Sequence, residues 1–122
     1  MDKLESASEP PQTELRFYRT PDSRCPFLEW LGSAHPRLRA KVWSRLEALA
    51  EHGHCLGRPH SALLRDGIRE LRFQQSGVQF RILYFFAGPS VAVISHVTTK
   101  LDRVPERHID LAVARREELE SR

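Results

Sequence analysis

Cysteine is scarce in this chain. Only Cys25 and Cys55 occur in 122 residues, and they form no C-x-x-C. That excludes a disulfide framework, and reduced thiols in a cytoplasmic protein are the simplest account. His52, His54, Cys55 and His60 are metal ligands by type, but their spacing matches no standard zinc pattern. No apolar run approaches the length of a membrane span. Asp2 and Glu5 come early and there is no apolar h-region, so no signal peptide is expected. There is no nucleotide-binding loop, no H-E-x-x-H, no G-x-S-x-G and no carboxylate-rich metal site. Neither a metal nor a cofactor is therefore expected. What is present is ordinary for one globular domain: 40% hydrophobic and 29% charged residues. The net charge of +3 permits a nucleic-acid partner without requiring one.

Residues 1–13 are polar, with Pro10 and Pro11 together, and read as a disordered lead-in. A single domain is expected over 14–122. Glu14–Arg19 is a candidate first strand. Pro26–Leu31 predicts a short helix stopped by Gly32. Pro36 to His52 predicts a longer one, with Leu38, Val42, Leu46, Leu49 and Ala50 on one apolar stripe and Gly53 just past its end. The two helices form a hairpin. His54–Pro59 reads as a loop. Three strands follow, over Ile68–Phe73, Val78–Phe86 and Val91–Val97. Pro105 opens a last helix to about Glu120. The order β-α-α-β-β-β-α indicates an α+β domain: a helical hairpin on a small antiparallel sheet, with a C-terminal helix.

Leu64–Lys100 is the informative stretch, because Arg72, Arg81 and His96 stand inside apolar strands. Strand alternation decides which side chains share a face. If both turns are four-residue loops, Phe73 pairs with Val78 and Phe86 with Val91. Glu70 then lies opposite Arg81, Arg72 opposite Gln79, and Arg81 opposite His96. Glu70, Arg72, Gln79, Arg81 and His96 share one face under this register. The core face carries Leu71, Phe73, Val78, Phe80, Ile82, Tyr84, Phe86, Val91 and Val93. A one-residue slip would break the arrangement.

Two neighbouring guanidinium groups repel unless a carboxylate or an anion lies between them. Glu70 is one answer, a cross-strand ion pair. Bound phosphate is the other, since arginine forks match phosphate oxygens. Lys100, Arg58, His60, Arg65 and Arg69 are close in sequence and would extend a basic surface. A site with cations and few acids suits metal-independent RNA cleavage, in which the ribose 2′-OH attacks its own phosphate. Arg72, Arg81 and Lys100 would stabilise the charge of the phosphorane, and His96 would serve as acid or base.

Three pieces in order carry a resemblance. Leu64–Phe73 reads L-x-D-G-I-x-E-L-R-F, Phe80–Phe86 reads F-R-I-L-Y-F-F, and His96–Pro105 reads H-x-x-T-K-x-x-x-V-P. Ile109–Arg116 (IDLAVARR) fits after them. From about Leu15 to Leu119 the chain resembles the RelE/ParE superfamily of type II toxins, in its HigB-like, phage-derived branch. The resemblance implies a RelE-like fold. It also implies a ribosome-dependent mRNA endonuclease neutralised by an antitoxin, commonly a helix-turn-helix DNA-binding protein. Carried over by motif, the catalytic candidates are Arg72, Arg81, His96 and Lys100. Arg58, His60, Arg65 and Arg69 are the RNA-binding candidates. Two other readings stay open: a ParE-like inhibitor of DNA gyrase, and a binding module of the same fold without chemistry.

Overall fold

The computed structural model describes residues 13–99 and 102–122; Met1–Gln12 of the expected lead-in, together with Lys100 and Leu101, lie outside the described residues. The elements are β1 (Glu14–Phe17), α1 (Pro26–Gly32), α2 (Pro36–His52), a 3-10 turn (Gly53–Cys55), β2 (Ser61–Arg65), β3 (Ile68–Gln75), β4 (Val78–Phe86), β5 (Val91–Thr99) and α3 (Glu106–Glu120). The strands form one sheet in the order β1-β5-β4-β3-β2. This is the α+β architecture expected of a RelE-like fold, with the helical hairpin and the C-terminal helix in place. One feature differs from the purely antiparallel sheet expected: β1 runs parallel to β5.

Helix α2 forms where its sequence directs it. Pro36 occupies the first turn, where its missing N–H costs nothing. The His35 ring accepts a hydrogen bond from the Arg37 N–H. Val42, Leu46 and Leu49 are fully buried, which is the predicted stripe. Gly53 ends the helix with φ +52°, and a Cβ there would collide with the Thr13 hydroxyl. Thr13 is itself buried and donates its N–H to the Ala50 carbonyl. Thr13, the last residue of the expected lead-in, thus packs against the end of α2.

The sheet is covered on both faces along its middle. On one side Phe27, Leu31, Val42, Leu46 and Leu49 pack on Leu71, Phe73, Phe80, Ile82, Tyr84, Ala92 and Ile94. On the other, Val104, Ile109 and Ala112 pack on Ile68, Leu83, Phe85 and Val93. Val91 and Val93 therefore belong to the α3 side, not to the hairpin side where alternation was expected to put them. Ala92 and Ile94 take their place. Burial on both faces is why β4 is a continuous apolar run with little alternation.

Both hairpin registers differ from the expected ones. Gln74 and Gln75 extend β3, so the β3–β4 turn is the two-residue Ser76-Gly77, with Gln75 opposite Val78. Ser76 and Gly77 both have positive φ, 52° and 77°. A type I′ turn asks this of its two central residues, because its twist matches that of the strands. At the next turn Phe86 pairs with Ala92, not Val91, and the register shifts again between Leu83 and Tyr84. Strand β2 was not anticipated; it pairs antiparallel with β3 at the sheet edge.

The turn yields a first prediction. Serine bears positive φ poorly and asparagine bears it well. Ser76→Asn should stabilise the protein by about 0.5–1 kcal/mol, measured by urea unfolding. A loss of stability would mean that the turn is not of this type.

Candidate functional site

Arg72 and Arg81 stand directly opposite each other on β3 and β4. Side chains so paired have Cβ atoms about 4.5–5.5 Å apart, and like charges there are unfavourable unless compensated. Glu70, two residues back on the same face, supplies the compensation. Its Oε2 is 3.6 Å from Arg72 Nε and its Oε1 is 3.8 Å from Arg81 Nε. Glu70 and Arg81 are buried, at 5% and 6% exposure, whereas the Arg72 side chain remains one-third exposed. Arg81 Nη2 donates to the Asp102 carbonyl at 2.8 Å, which ties the guanidinium to the segment before α3. Among the described residues, neither Glu70 Oε1 nor Arg81 Nε has a hydrogen-bond partner.

The opposite side of the arginine pair faces an open hollow of about 450 Å³, lined by Arg72, Gln74, Gln79, Arg81 and Asp102 with the turn at Gly77 and Val78. Gln74 pairs with Gln79 in the row next to the arginines, on the same face. Two guanidinium groups backed by one carboxylate, with two amides beside them, offer a concentrated set of N–H donors. Such a set suits an anion of phosphate size and geometry.

His96 is placed by the irregularity in β5. It lies opposite Leu83, while Arg81 is opposite Thr98. This corrects both expected cross-strand partners of Arg81, Glu70 and His96, although all three still share a face. The imidazole turns toward α3. Its Nδ1 is 2.8 Å from the Ser95 hydroxyl and its Nε2 is 3.2 Å from His108 Nδ1. Arg115 donates to the Ser95 carbonyl at 2.7 Å. Burial first, then the charges of Arg115 and His108, push the His96 pKa down to about 4, so the ring is neutral at neutral pH. His96 is not among the residues lining the hollow.

The remaining candidates are dispersed. Lys100 lies outside the described residues. Arg58 is exposed in the loop before β2, and the His60 ring meets Arg45 Nη1 at 3.0 Å. Arg65 is held by Asp66, Glu106 and Asp110, which tie the β2–β3 turn to α3. Arg69 pairs with Tyr84 on the helical-hairpin face, and its guanidinium lies 5.7 Å from the Phe86 ring centre. It is thus on the far side of the sheet from Arg72 and Arg81.

Some groups around Arg81 and His96 are not picked out by the sequence. The Asp102 carbonyl is backbone and leaves no trace in residue type. Gln74 falls in the expected four-residue turn, and its place on the site face follows only from the shorter loop. His108 lies three residues beyond Pro105, and no spacing rule links it to His96. Among the described residues, no group of three or more His, Cys, Asp or Glu gathers as a metal site. No helix among them is long and apolar enough to cross a membrane.

No curated protein matches the chain. A family model does: that of the Phage derived protein Gp49-like (DUF891), over residues 29–117. The match runs from within α1 nearly to the end of α3 and takes in Glu70, Arg72 and Arg81. It covers well over half of the 122 residues, and the chain therefore belongs to the phage-derived Gp49-like family.

Proposed function

We propose that the protein is the toxin of a type II toxin–antitoxin system and cleaves mRNA on the translating ribosome. The observation that carries the proposal is the Arg72–Arg81 pair, set side by side at an open hollow with the Glu70 carboxylate behind it. The three-part motif order and membership in the Gp49-like family support it.

In this reading the phosphate of the scissile bond sits in the hollow. The ribose 2′-oxygen gives up its proton and bonds to phosphorus while the P–O5′ bond breaks; the products are a 2′,3′-cyclic phosphate and a 5′-oxygen that leaves as a hydroxyl after taking up a proton, and negative charge grows on the non-bridging oxygens in between. Arg72 and Arg81 meet that charge with preoriented donors, joined by Lys100 on the strength of its motif position. The need for a 2′-OH selects RNA over DNA. For His96 to accept the proton of that hydroxyl, its ring would have to leave His108. The partner that silences the toxin is a cognate antitoxin of the helix-turn-helix class, and the site of action is cytoplasmic.

The test is induced expression in a bacterial host, with mapping of mRNA 5′ ends. The expected result is growth arrest with new 5′ ends inside coding regions. Arrest with intact mRNA would overturn the nuclease reading in favour of a gyrase-directed toxin. Unimpeded growth would leave a binding module.

A further inference from the structure

Glu70 has no part in the chemistry proposed above, yet it is among the most enclosed charged side chains described. It lies one row deeper than the arginines, paired with Ala62 on one side and Leu83 on the other. Its carboxylate is 3.6 Å from one guanidinium and 3.8 Å from the next. Both distances are too long for a hydrogen bond. The contact is therefore one of charge, and it uses up no guanidinium hydrogen-bond donor. Glu70 is also absent from the hollow's lining. An anion entering there meets the arginines from the front while Glu70 holds them from behind.

We infer that Glu70 is a positioning residue for an anion site: a fixed counter-charge that keeps Arg72 and Arg81 side by side and lowers their grip on phosphate. The inference rests on the reading of the hollow as a phosphate site. Without a carboxylate, two guanidinium groups on directly opposed positions repel, and no other acidic side chain among the described residues lies within ion-pair distance of either. With it, the two guanidinium groups and Glu70 together carry a net charge of about +1, where the arginines alone carry +2. A pair so balanced keeps its geometry when empty and releases a cleaved phosphate more readily.

The consequence has a sign that a merely structural residue would not produce. Glu70→Gln keeps the shape of the side chain and removes the charge. The variant should be less stable than the parent in buffer of low ionic strength, yet bind inorganic phosphate on the order of fivefold more tightly. The measurement is thermal unfolding of both proteins against increasing phosphate, with sodium chloride at matched ionic strength as the control. A second variant, Glu70→Gln with Arg72→Gln, should lose the phosphate response, which locates the site. If Glu70→Gln is unfolded in low salt, phosphate should restore its fold where chloride does not. Equal phosphate affinity in parent and variant would overturn the inference. So would a failure of phosphate to stabilise the parent, or to restore an unfolded variant.

These outcomes are separable from the fate of the toxin reading. Tighter phosphate binding by a protein that neither arrests growth nor cleaves mRNA keeps the anion site and discards the nuclease. Cleaved mRNA with no phosphate response keeps the nuclease and discards the role of Glu70. Where RNA is cleaved, Glu70→Gln should lower KM and kcat together, as expected when ground-state binding gains and alignment suffers.

Discussion

Arg81→Ala should abolish the growth arrest expected of the proposed toxin and should also cost the fold roughly 3–5 kcal/mol. The two effects have one origin. Arg81 is buried, donates to the Asp102 carbonyl and faces the Glu70 carboxylate. Its removal leaves Glu70 enclosed with Arg72 as its one remaining ion-pair partner among the described residues, at 3.6 Å. Removing one member of a buried pair is costly chiefly because the other charge stays behind. Loss of toxicity in this variant alone would therefore say little about chemistry. The informative comparison removes both charges. Glu70→Gln with Arg81→Met takes the pair out at similar volume and should recover most of the stability while remaining non-toxic. Arg72→Ala approaches the same question from the exposed side. Its fold should survive, and cleavage should fall roughly 10²–10³-fold for the loss of one transition-state donor. Urea unfolding reports the first quantity, and growth with mRNA 5′-end mapping reports the second. A stable double variant that still arrests growth would show that the hollow is not where the chemistry occurs.

That the arginines share a face was legible from alternation, but partly through errors that cancelled. At the β3–β4 turn the expected loop is two residues too long, and a two-residue offset preserves the face. At the β4–β5 turn Phe86 pairs with Ala92 instead of Val91, an offset of one, which reverses the face for Val91 and Val93. The irregularity near Ser95 adds a second residue and returns His96 and Thr98 to the Arg81 side. Bulges of this kind leave no period-2 signature, so a count along the strand passes straight through them. The cover provided by α3 was hidden for a related reason. In F-R-I-L-Y-F-F, Leu83 and Phe85 face α3 while Ile82 and Tyr84 face α2. A run that is apolar on both sides cannot reveal which residue faces which layer. Strand β2 has five residues, Ser61–Arg65, with no alternation of its own. It is a strand because β3 offers it an edge. Helix α2, with its proline start, regular stripe and closing glycine, needed no such help.

Between pH 6.5 and pH 4 the protein should lose about 3 kcal/mol of stability through His96 alone. The native pKa of about 4 lies below the ordinary histidine value of 6.5, because burial, Arg115 and His108 all oppose a charged ring. The unfolded chain therefore takes up this proton before the folded one does. Well above pH 6.5 neither state is protonated at His96, and its neutral, packed form contributes fully. As the pH falls from 6.5 toward 4, protonation draws the equilibrium toward the unfolded chain. Below 4 both states carry the proton, and the loss from this residue is complete. His108 adds to the effect in the same direction, since burial and Arg107 lower its pKa as well. The groups concerned join β5 to α3, through the His96–His108 contact and the Arg115 bond to the Ser95 carbonyl. Acid should thus loosen the C-terminal helix first, because two cationic rings would face each other beside Arg115. His96→Gln should flatten the stability profile across this range, and amide exchange in α3 should cease to accelerate on acidification. A variant as acid-sensitive as the parent would place the responsible proton elsewhere and leave His96 free to serve the site at Arg72 and Arg81.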